Sequence, residues 1–513
     1  MRAQKYMKKS LSILIPVLII ALVIIVFSIN NKDDVLTKKE RPKVVNIWSS
    51  EEIVRDPVLV AGIAQSFNTS LLYEPLFLST ETNEIIPNIA KSYEISKDGS
   101  TITIKLDETR DFSDGSKLTS NDVKKTIARI NSSASKFASF VREIKGNGEA
   151  KSGPDFFGIK TPDENTVVFE LIAPNPFFVY SLAQPITAII PSASLNEKNE
   201  IISDIGSGKY TISNDAKSSG EPTVFTPRDE RLPVINIYLK TQTEIDAMGN
   251  RGDVDIAFGQ KTTPKEFTRK NISLFASGSW NVYVKDGDSA LNNVKFRQAV
   301  LLAIDTKASL KAYGDKAIEA KMFYGNTIDG VDCALSCKTS KKESKTILKE
   351  IYPDGNIPNV SIDIEESELQ KSLADTAKKE LAGVGIPSTI TVHDSADWAN
   401  VLARGEISLF RFGWVSEVPI SSDSLVDNYK ASSNDNLSGV VDTALEKKIE
   451  NYEKAATIKS KVENSNKIQE RIKELHLSKP IAQYVYGVSV TNRISIPNFD
   501  SYGRFNIYKL TIS

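Results

Sequence analysis

Histidine and cysteine are the scarcest reactive residues in this chain, with two of each among 513 residues. A zinc site usually needs three or four nitrogen or sulfur ligands. Cys333 and Cys337 lie far in sequence from His393 and His476, so no Cys/His metal centre is expected, and no cofactor either. A His-dependent triad would have to use His393 or His476, and no Gly-x-Ser-x-Gly elbow occurs. Charge of one sign is also lacking: 64 basic against 65 acidic side chains leave a net charge of -1. Phosphate backbones bind to concentrated basic surface, so nucleic acid is not an expected partner. Internal repeats and low-complexity tracts are absent. The Gly-rich turn Gly206-Ser207-Gly208-Lys209 runs into Tyr210-Thr211-Ile212, which reads as a strand. It therefore lacks the helix N-terminus that would hold a phosphate.

What is present begins at the N-terminus. Arg2, Lys5, Lys8 and Lys9 precede a run from Leu11 to Ile29 without a charged residue. At about 1.5 Å per residue this run crosses a hydrocarbon core of about 30 Å. It is longer than the usual apolar region of a cleaved signal, and Val26–Asn31 offers no small-x-small cleavage site. No cysteine follows for lipoprotein processing. The pattern predicts a cytoplasmic basic tail over 1–10, a single transmembrane anchor over 11–29 and a charged linker over 30–42. Everything after Lys32 is then outside, extracellular or periplasmic, as a single-pass protein of the cell membrane. The competing reading is a cleaved signal peptide, and it exports the same globular part. In that oxidising setting Cys333 and Cys337 are expected to form a small-loop disulfide.

A chain of this length needs more than one hydrophobic core. Its apolar and charged fractions, 40% and 25%, are those of a globular protein. Period-2 alternation marks strands at Thr101–Leu106, Thr166–Leu171, Val234–Lys240, Ser388–Val392, Leu409–Trp414 and Ile481–Val490. Helical spacing marks Val123, Ile127 and Ile130, then Lys295–Ile304 and Leu369–Leu381, the last stopped by Gly383 and Gly385. In Phe112–Ile127, Asp114-Gly115 reads as a turn and Thr119 as a helix cap with Asp122 at the third position. Interleaved strands and helices argue an α/β fold with some mixed pairing.

Four stretches carry a family resemblance. Leu72-Tyr73-Glu74-Pro75-Leu76 with Ile86-Pro87-Asn88-Ile89-Ala90 is the first. Ser92–Leu106, Phe112-Ser113-Asp114-Gly115 and Leu118–Val123 form the second and most specific. Phe296-Arg297-Gln298-Ala299 with Ala303-Ile304-Asp305 is the third. Gly383-Val384-Gly385-Ile386, Trp398 and Phe412-Gly413-Trp414 complete the series. In this order they resemble the oligopeptide/dipeptide class of extracellular solute-binding proteins that feed ABC importers, family 5.

The resemblance implies a two-lobed periplasmic-binding-protein-like clamp of class II type with an extra inserted subdomain. Lobe I would be 43–79 plus 190–275 plus 485–513, the inserted subdomain 80–189, and lobe II 276–484. It implies a monomer that is not an enzyme, that closes on a peptide or other small solute and meets the permease subunits of an ABC transporter. A surface receptor or adhesion module using the same clamp without transport is the alternative, followed by an exported hydrolase. Trp414 stands at the end of the strand that reaches the family's cleft. Glu417 falls where the family often has an Asp that pairs with a peptide's α-amino group, though here the context reads Glu417-Val418-Pro419-Ile420-Ser421. Trp280, Asn281 and Tyr283 follow the expected crossover into lobe II, and Trp398 belongs to the second-lobe series. Alternation puts Trp280 and Val282 on one face and Asn281 and Tyr283 on the other, so at most one pair faces the cleft. Arg411, alongside Arg404, is a candidate for a ligand carboxylate.

Overall fold

The computed structural model describes residues 44–131, 139–146, 157–216, 220–261, 263–284, 289–333, 337–420 and 422–512. The anchor expected over 11–29 lies outside them, as do the tail and linker around it. Among the described residues, no helix is long and apolar enough to cross a membrane.

One sheet of eleven strands runs through the molecule. Its centre is an antiparallel pair, Phe267–Val282 and Ser478–Thr491. At about 3.3 Å per residue these two strands run on the order of 45 to 50 Å, long enough to serve two cores. Beyond Ser478–Thr491 the sheet continues through Ile256–Phe258, Val44–Ser49, Val234–Leu239, Thr223–Pro227 and Tyr210–Asn214. Beyond Phe267–Val282 it continues through Leu409–Val415, Val360–Glu365 and Ser388–His393. Parallel pairing (Val44–Ser49 with Val234–Leu239) coexists with antiparallel pairing, as the mixed α/β reading expects.

The central ladder breaks in its middle. Phe267–Ser273 pair with Val485–Thr491, and Ser277–Asn281 pair with Ser478–Gln483, but Leu274, Phe275 and Ala276 have no partner on the second strand. A buried carbonyl without a donor is costly, and the Gln483 carboxamide answers this. It donates to the carbonyl of Leu274 and, at 3.1 Å, to that of Ala276. The Ser416 amide donates to the Phe275 carbonyl at 2.7 Å. Next to the break the residue is Gly278, where a Cβ would meet the Tyr313 hydroxyl at 2.6 Å.

Separate cores lie on the two sides of the break. Ile47, Phe67, Tyr210, Phe225 and Phe258 belong to one, and Trp280, Phe296, Ile362, Leu373 and Leu409 to the other. This is the two-lobed arrangement. A third buried cluster holds Ile102, Ile104, Val123, Ile127 and Phe169 and continues into Leu425, Leu445 and Ile472. Its sheet has four antiparallel strands in the order Ala90–Ile95, Thr101–Leu106, Thr166–Glu170, Ile159–Asp163. Ile102, Ile104 and Leu106 are the buried alternate positions of their strand, and Val123 and Ile127 the buried face of the helix Ser120–Asn131. Thr119 closes that helix's start by donating its amide and hydroxyl to Asp122, at 2.9 and 2.7 Å.

Two local features tie the first lobe to this smaller sheet. Glu74, almost wholly buried, pairs with both Arg110 and Lys209. Burial pushes its carboxyl up, but the two cations together outweigh that and hold it below the ordinary carboxylate value. Gly206 and Gly208 lie directly against the end of the helix Ile63–Leu72, where a methyl at either would collide with the Leu72 carbonyl. The Gly-rich turn thus serves backbone packing. In the second lobe, Lys479 is buried and its ammonium donates to the carbonyls of Leu301, Ile304 and Lys338 at 2.8, 2.6 and 3.0 Å. Cys333 and Cys337 are joined by a disulfide, with Cα atoms 5.4 Å apart.

Two predictions follow from these contacts. Glu74→Gln is expected to destabilise the protein by about 3 kcal/mol at pH 7, because it leaves two cations without their partner. The folded carboxyl lies below its unfolded value, so its contribution is full above about pH 4.5 and is lost as pH falls through the folded value. Denaturation of the wild type and the variant at pH 7 and pH 3.5 should show the difference shrinking on acidification. Gln483→Ala is expected to cost about 2 kcal/mol by leaving the Leu274 and Ala276 carbonyls unpaired. Hydrogen exchange at the amides around the break should accelerate in the variant more than exchange in either core.

Candidate functional site

The break in the central ladder opens into a cavity of about 520 Å³ whose walls come from both lobes. Lobe I gives Glu51, Ile63, Ser66 and Tyr486, lobe II gives Val415, Ser416, Glu417 and Tyr484, and the floor is the unpaired stretch Leu274–Ala276. Gln184, Ser501 and Tyr502 close one side. A second cavity of about 490 Å³ adjoins it, sharing Glu51, Leu274, Tyr484 and Tyr486, and adds Gln242, Arg269, Lys261 and Lys316. Together they form one cleft with an acidic, aromatic end and a basic end. Two larger grooves lie elsewhere. One of about 660 Å³ is bordered by the helix Ile63–Leu72, the hairpin around Ser79–Ile86 and the C-terminal segment. Another of about 750 Å³ lies along the helices of lobe II around Lys295, Ile347 and Lys473. Neither includes the unpaired residues Leu274–Ala276.

Glu51 comes two residues after the strand Val44–Ser49, at its carboxyl end. Its Oε1 accepts from the Tyr486 hydroxyl at 3.0 Å and its Oε2 from the Gln65 amide at 3.0 Å, in the first turn of the helix Ile63–Leu72. Burial and the neighbouring Glu51 carboxylate push the Tyr486 hydroxyl far up, so it stays a neutral donor. Glu417 follows the strand Leu409–Val415, and its carbonyl accepts from the Tyr502 hydroxyl at 3.3 Å. Val415 is 70% exposed on the cleft wall. At the cavity edge a ring of hydrogen bonds links three segments. Asn83 Nδ2 donates to the Asn326 carbonyl at 2.9 Å, Asn326 Nδ2 to Ser501 Oγ at 3.1 Å, and Ser501 Oγ to Asn83 Oδ1 at 3.1 Å.

Of the residues singled out from sequence, Glu417 lines this cavity. Arg411 stands one layer back. Its guanidinium lies over the rings of Tyr313 and Tyr484, 5.7 and 5.9 Å from their centroids, and donates to both hydroxyls. Trp414 pairs with Ser277 in the ladder, and its side chain is outside the described set. Trp280 is fully buried in the core of lobe II, because alternation turns it inward with Val282. Asn281 donates to the Ser279 carbonyl at 3.2 Å. Tyr283 packs beside Val401, Ile407 and Phe410, and against Gly405 and Gly439. Trp398 packs on His393 at 5.7 Å, and that imidazole faces Asp363 at 3.1 Å. Trp280, Asn281, Tyr283 and Trp398 therefore stand away from the interlobe cavity. Arg404 is on the surface with Asp397 and Glu406. His476 is half-buried beside Arg297, and these two influences lower its imidazole to about 4, a weak base at neutral pH. Among the described residues no group of His, Cys, Asp and Glu could hold a metal ion.

Sequence reasoning missed Glu51, Ser66, Gln184, Phe275, Tyr484, Tyr486 and Tyr502. Two signals were available. Tyr484 and Tyr486 stand two apart on a strand and so share a face, and Glu51 sits just past the carboxyl end of a strand, where open α/β sheets bind ligands.

Comparison with known proteins places this geometry. The family model described as "Bacterial extracellular solute-binding proteins, family 5 Middle" matches residues 84–436. The dipeptide-binding protein of Escherichia coli is 24% identical over 381 residues, 66% of this chain and 68% of that protein. A relative from Brucella ovis is 28% identical over 375 residues, 69% of this chain and 63% of its own length, so the chain spans less than two thirds of it. Among solved structures, the unliganded open form of the periplasmic murein tripeptide-binding protein MppA superposes with a TM-score of 0.80 at 18% identity, covering 92% of this chain and 98% of that one. With the two lobes, the ladder break and the cleft above it, the match over residues 84–436 means that this chain belongs to the bacterial extracellular solute-binding proteins of family 5.

Proposed function

We propose that this protein captures short peptides in the interlobe cleft and hands them unchanged to the permease of an ABC importer. The observation that carries this reading is a cavity of about 520 Å³ walled by both lobes and floored by the ladder break. A ligand held there touches both lobes at once, so its binding energy favours the closed arrangement. The volume lies in the range that encloses a drug-sized molecule. Family membership and the names of the relatives, a dipeptide-binding protein and a murein tripeptide-binding protein, support the choice of peptides.

In this reading Glu417 takes the α-ammonium in a charge-assisted hydrogen bond. The peptide then runs toward the basic end, where Lys261 and Lys316 attract its carboxylate. Arg411 acts through Tyr484, steadying a ring that lines both cavities. The division in this reading is lobe I as 43–79, 190–275 and 485–513, an inserted subdomain at 80–189, and lobe II at 276–484. The apolar run Leu11–Ile29 anchors the chain, and the clamp works outside the membrane as a monomer beside its transporter.

Removing a charge-assisted bond costs about 1.5 to 3 kcal/mol, or roughly ten- to a hundred-fold in affinity. Glu417→Gln should weaken trialanine by that factor in isothermal titration and leave N-acetyl-trialanine nearly unchanged. An equal effect on both peptides would remove the ammonium from Glu417, and wild-type protein that binds no peptide at millimolar concentration would remove the function.

A further inference from the structure

We infer that Glu51 and Ser66 of lobe I, with Gln184 of the inserted subdomain, form a second subsite in the cleft that takes a cationic side chain, so that the preferred ligands are basic peptides. This rests on the peptide reading above and names its substrate class.

The first observation is the charge of the cavity. Its lining includes the carboxylates of Glu51 and Glu417 from opposite lobes, and no Lys, Arg or His. Of the cations near it, Arg411 lies over Tyr484 and Arg504 over Tyr502, where it also pairs with Asp500, while Lys261, Arg269 and Lys316 line the adjoining cavity. The second observation is unfilled hydrogen-bonding capacity. Ser66 and Gln184 line the same cavity and are each 3% exposed, yet Ser66 Oγ and Gln184 Nε2 have no hydrogen-bond partner. Buried polar groups are nearly always paired, and these two stand where an ammonium and a peptide carbonyl would pair them.

A structural role accounts for only part of Glu51. Capping the helix Ile63–Leu72 uses one bond to Oε2, and Tyr486 uses one to Oε1. A carboxylate has about four acceptor positions, so one remains on each oxygen while both contacts fix its orientation. Closure of the lobes excludes water, and a carboxylate enclosed without a cation is costly. In the reading above the α-ammonium goes to Glu417. A lysine or arginine side chain answers Glu51, and its methylene stem lies against Phe275, Tyr484 and Tyr486.

The test is isothermal titration of the full chain with two isosteric pairs, Lys-Ala-Ala against norleucine-Ala-Ala and Ala-Lys-Ala against Ala-norleucine-Ala. In at least one pair the lysine peptide is expected to bind ten-fold or more tightly, with an advantage that shrinks as salt rises. Glu51→Gln should bring the ratio to within about two-fold while changing norleucine affinity little, and Glu51→Asp should retain part of it. Equal affinities within both pairs in the wild type, or a preference that survives Glu51→Gln, would overturn the basic subsite and leave peptide capture standing. If Glu51→Gln does not fold, the wild-type ratio and its salt dependence decide. Failure of all four peptides to bind would overturn both readings together.

Discussion

Both lobes hang on two strands that stop pairing for three residues. Leu274, Phe275 and Ala276 leave the central ladder; the Gln483 carboxamide supplies a donor to the Leu274 and Ala276 carbonyls, and the Ser416 amide supplies one to that of Phe275. This is a stable way to make a joint in a sheet. Unpaired backbone would be penalised in a dry interior, yet continuous pairing would fix the lobes as one stiff body. A side-chain amide satisfies two of the carbonyls where the backbone pairing stops. The binding cavity follows from the same break, because the gap between lobes is floored by the residues that left the ladder. Tyr484 and Tyr486 border the joint and face the cavity for that reason.

Charged side chains divide by task across the molecule. Those that hold segments together have ionic partners: Glu74 with Arg110 and Lys209, Asp56 with Arg129, Asp500 with Arg504. In the cleft Lys261 and Arg269 are likewise paired, with Asp246 and Asp315, but Glu51 is treated differently. Glu51 rests on a hydroxyl and a main-chain amide, contacts that fix a carboxylate without neutralising it. The Glu51 charge is thereby left standing at the cavity, while those of Glu74, Asp56 and Asp500 are cancelled where segments meet.

Much of the architecture was legible because it is written in local periods. The alternation of Thr101–Leu106 and the cap at Thr119 depend on neighbours within a few residues, and both appear as read. The Leu-Tyr-Glu-Pro-Leu stretch was legible as family likeness before its physical role was known. The structure supplies that role in Glu74, a carboxylate between two lobes of charge. The site was harder to read because Glu51, Gln184, Glu417 and Tyr502 are up to several hundred residues apart and meet only through tertiary pairing. Trp280 shows the other limit. Alternation says which residues share a face, but in a strand covered on both sides it does not say which face is core, and this tryptophan went inward. Arg411 was read on the right strand, while the tyrosines that screen it from the cleft lie elsewhere in the chain.

The register of the central ladder has one more consequence. Ser277 lies beside Gln483 in the central ladder, so the stretch of chain between them leaves and rejoins the central pair at adjacent positions. A unit with adjoining ends is suited to exchange: another protein's loop could host it, or a relative's second lobe could replace it, with only two junctions to heal.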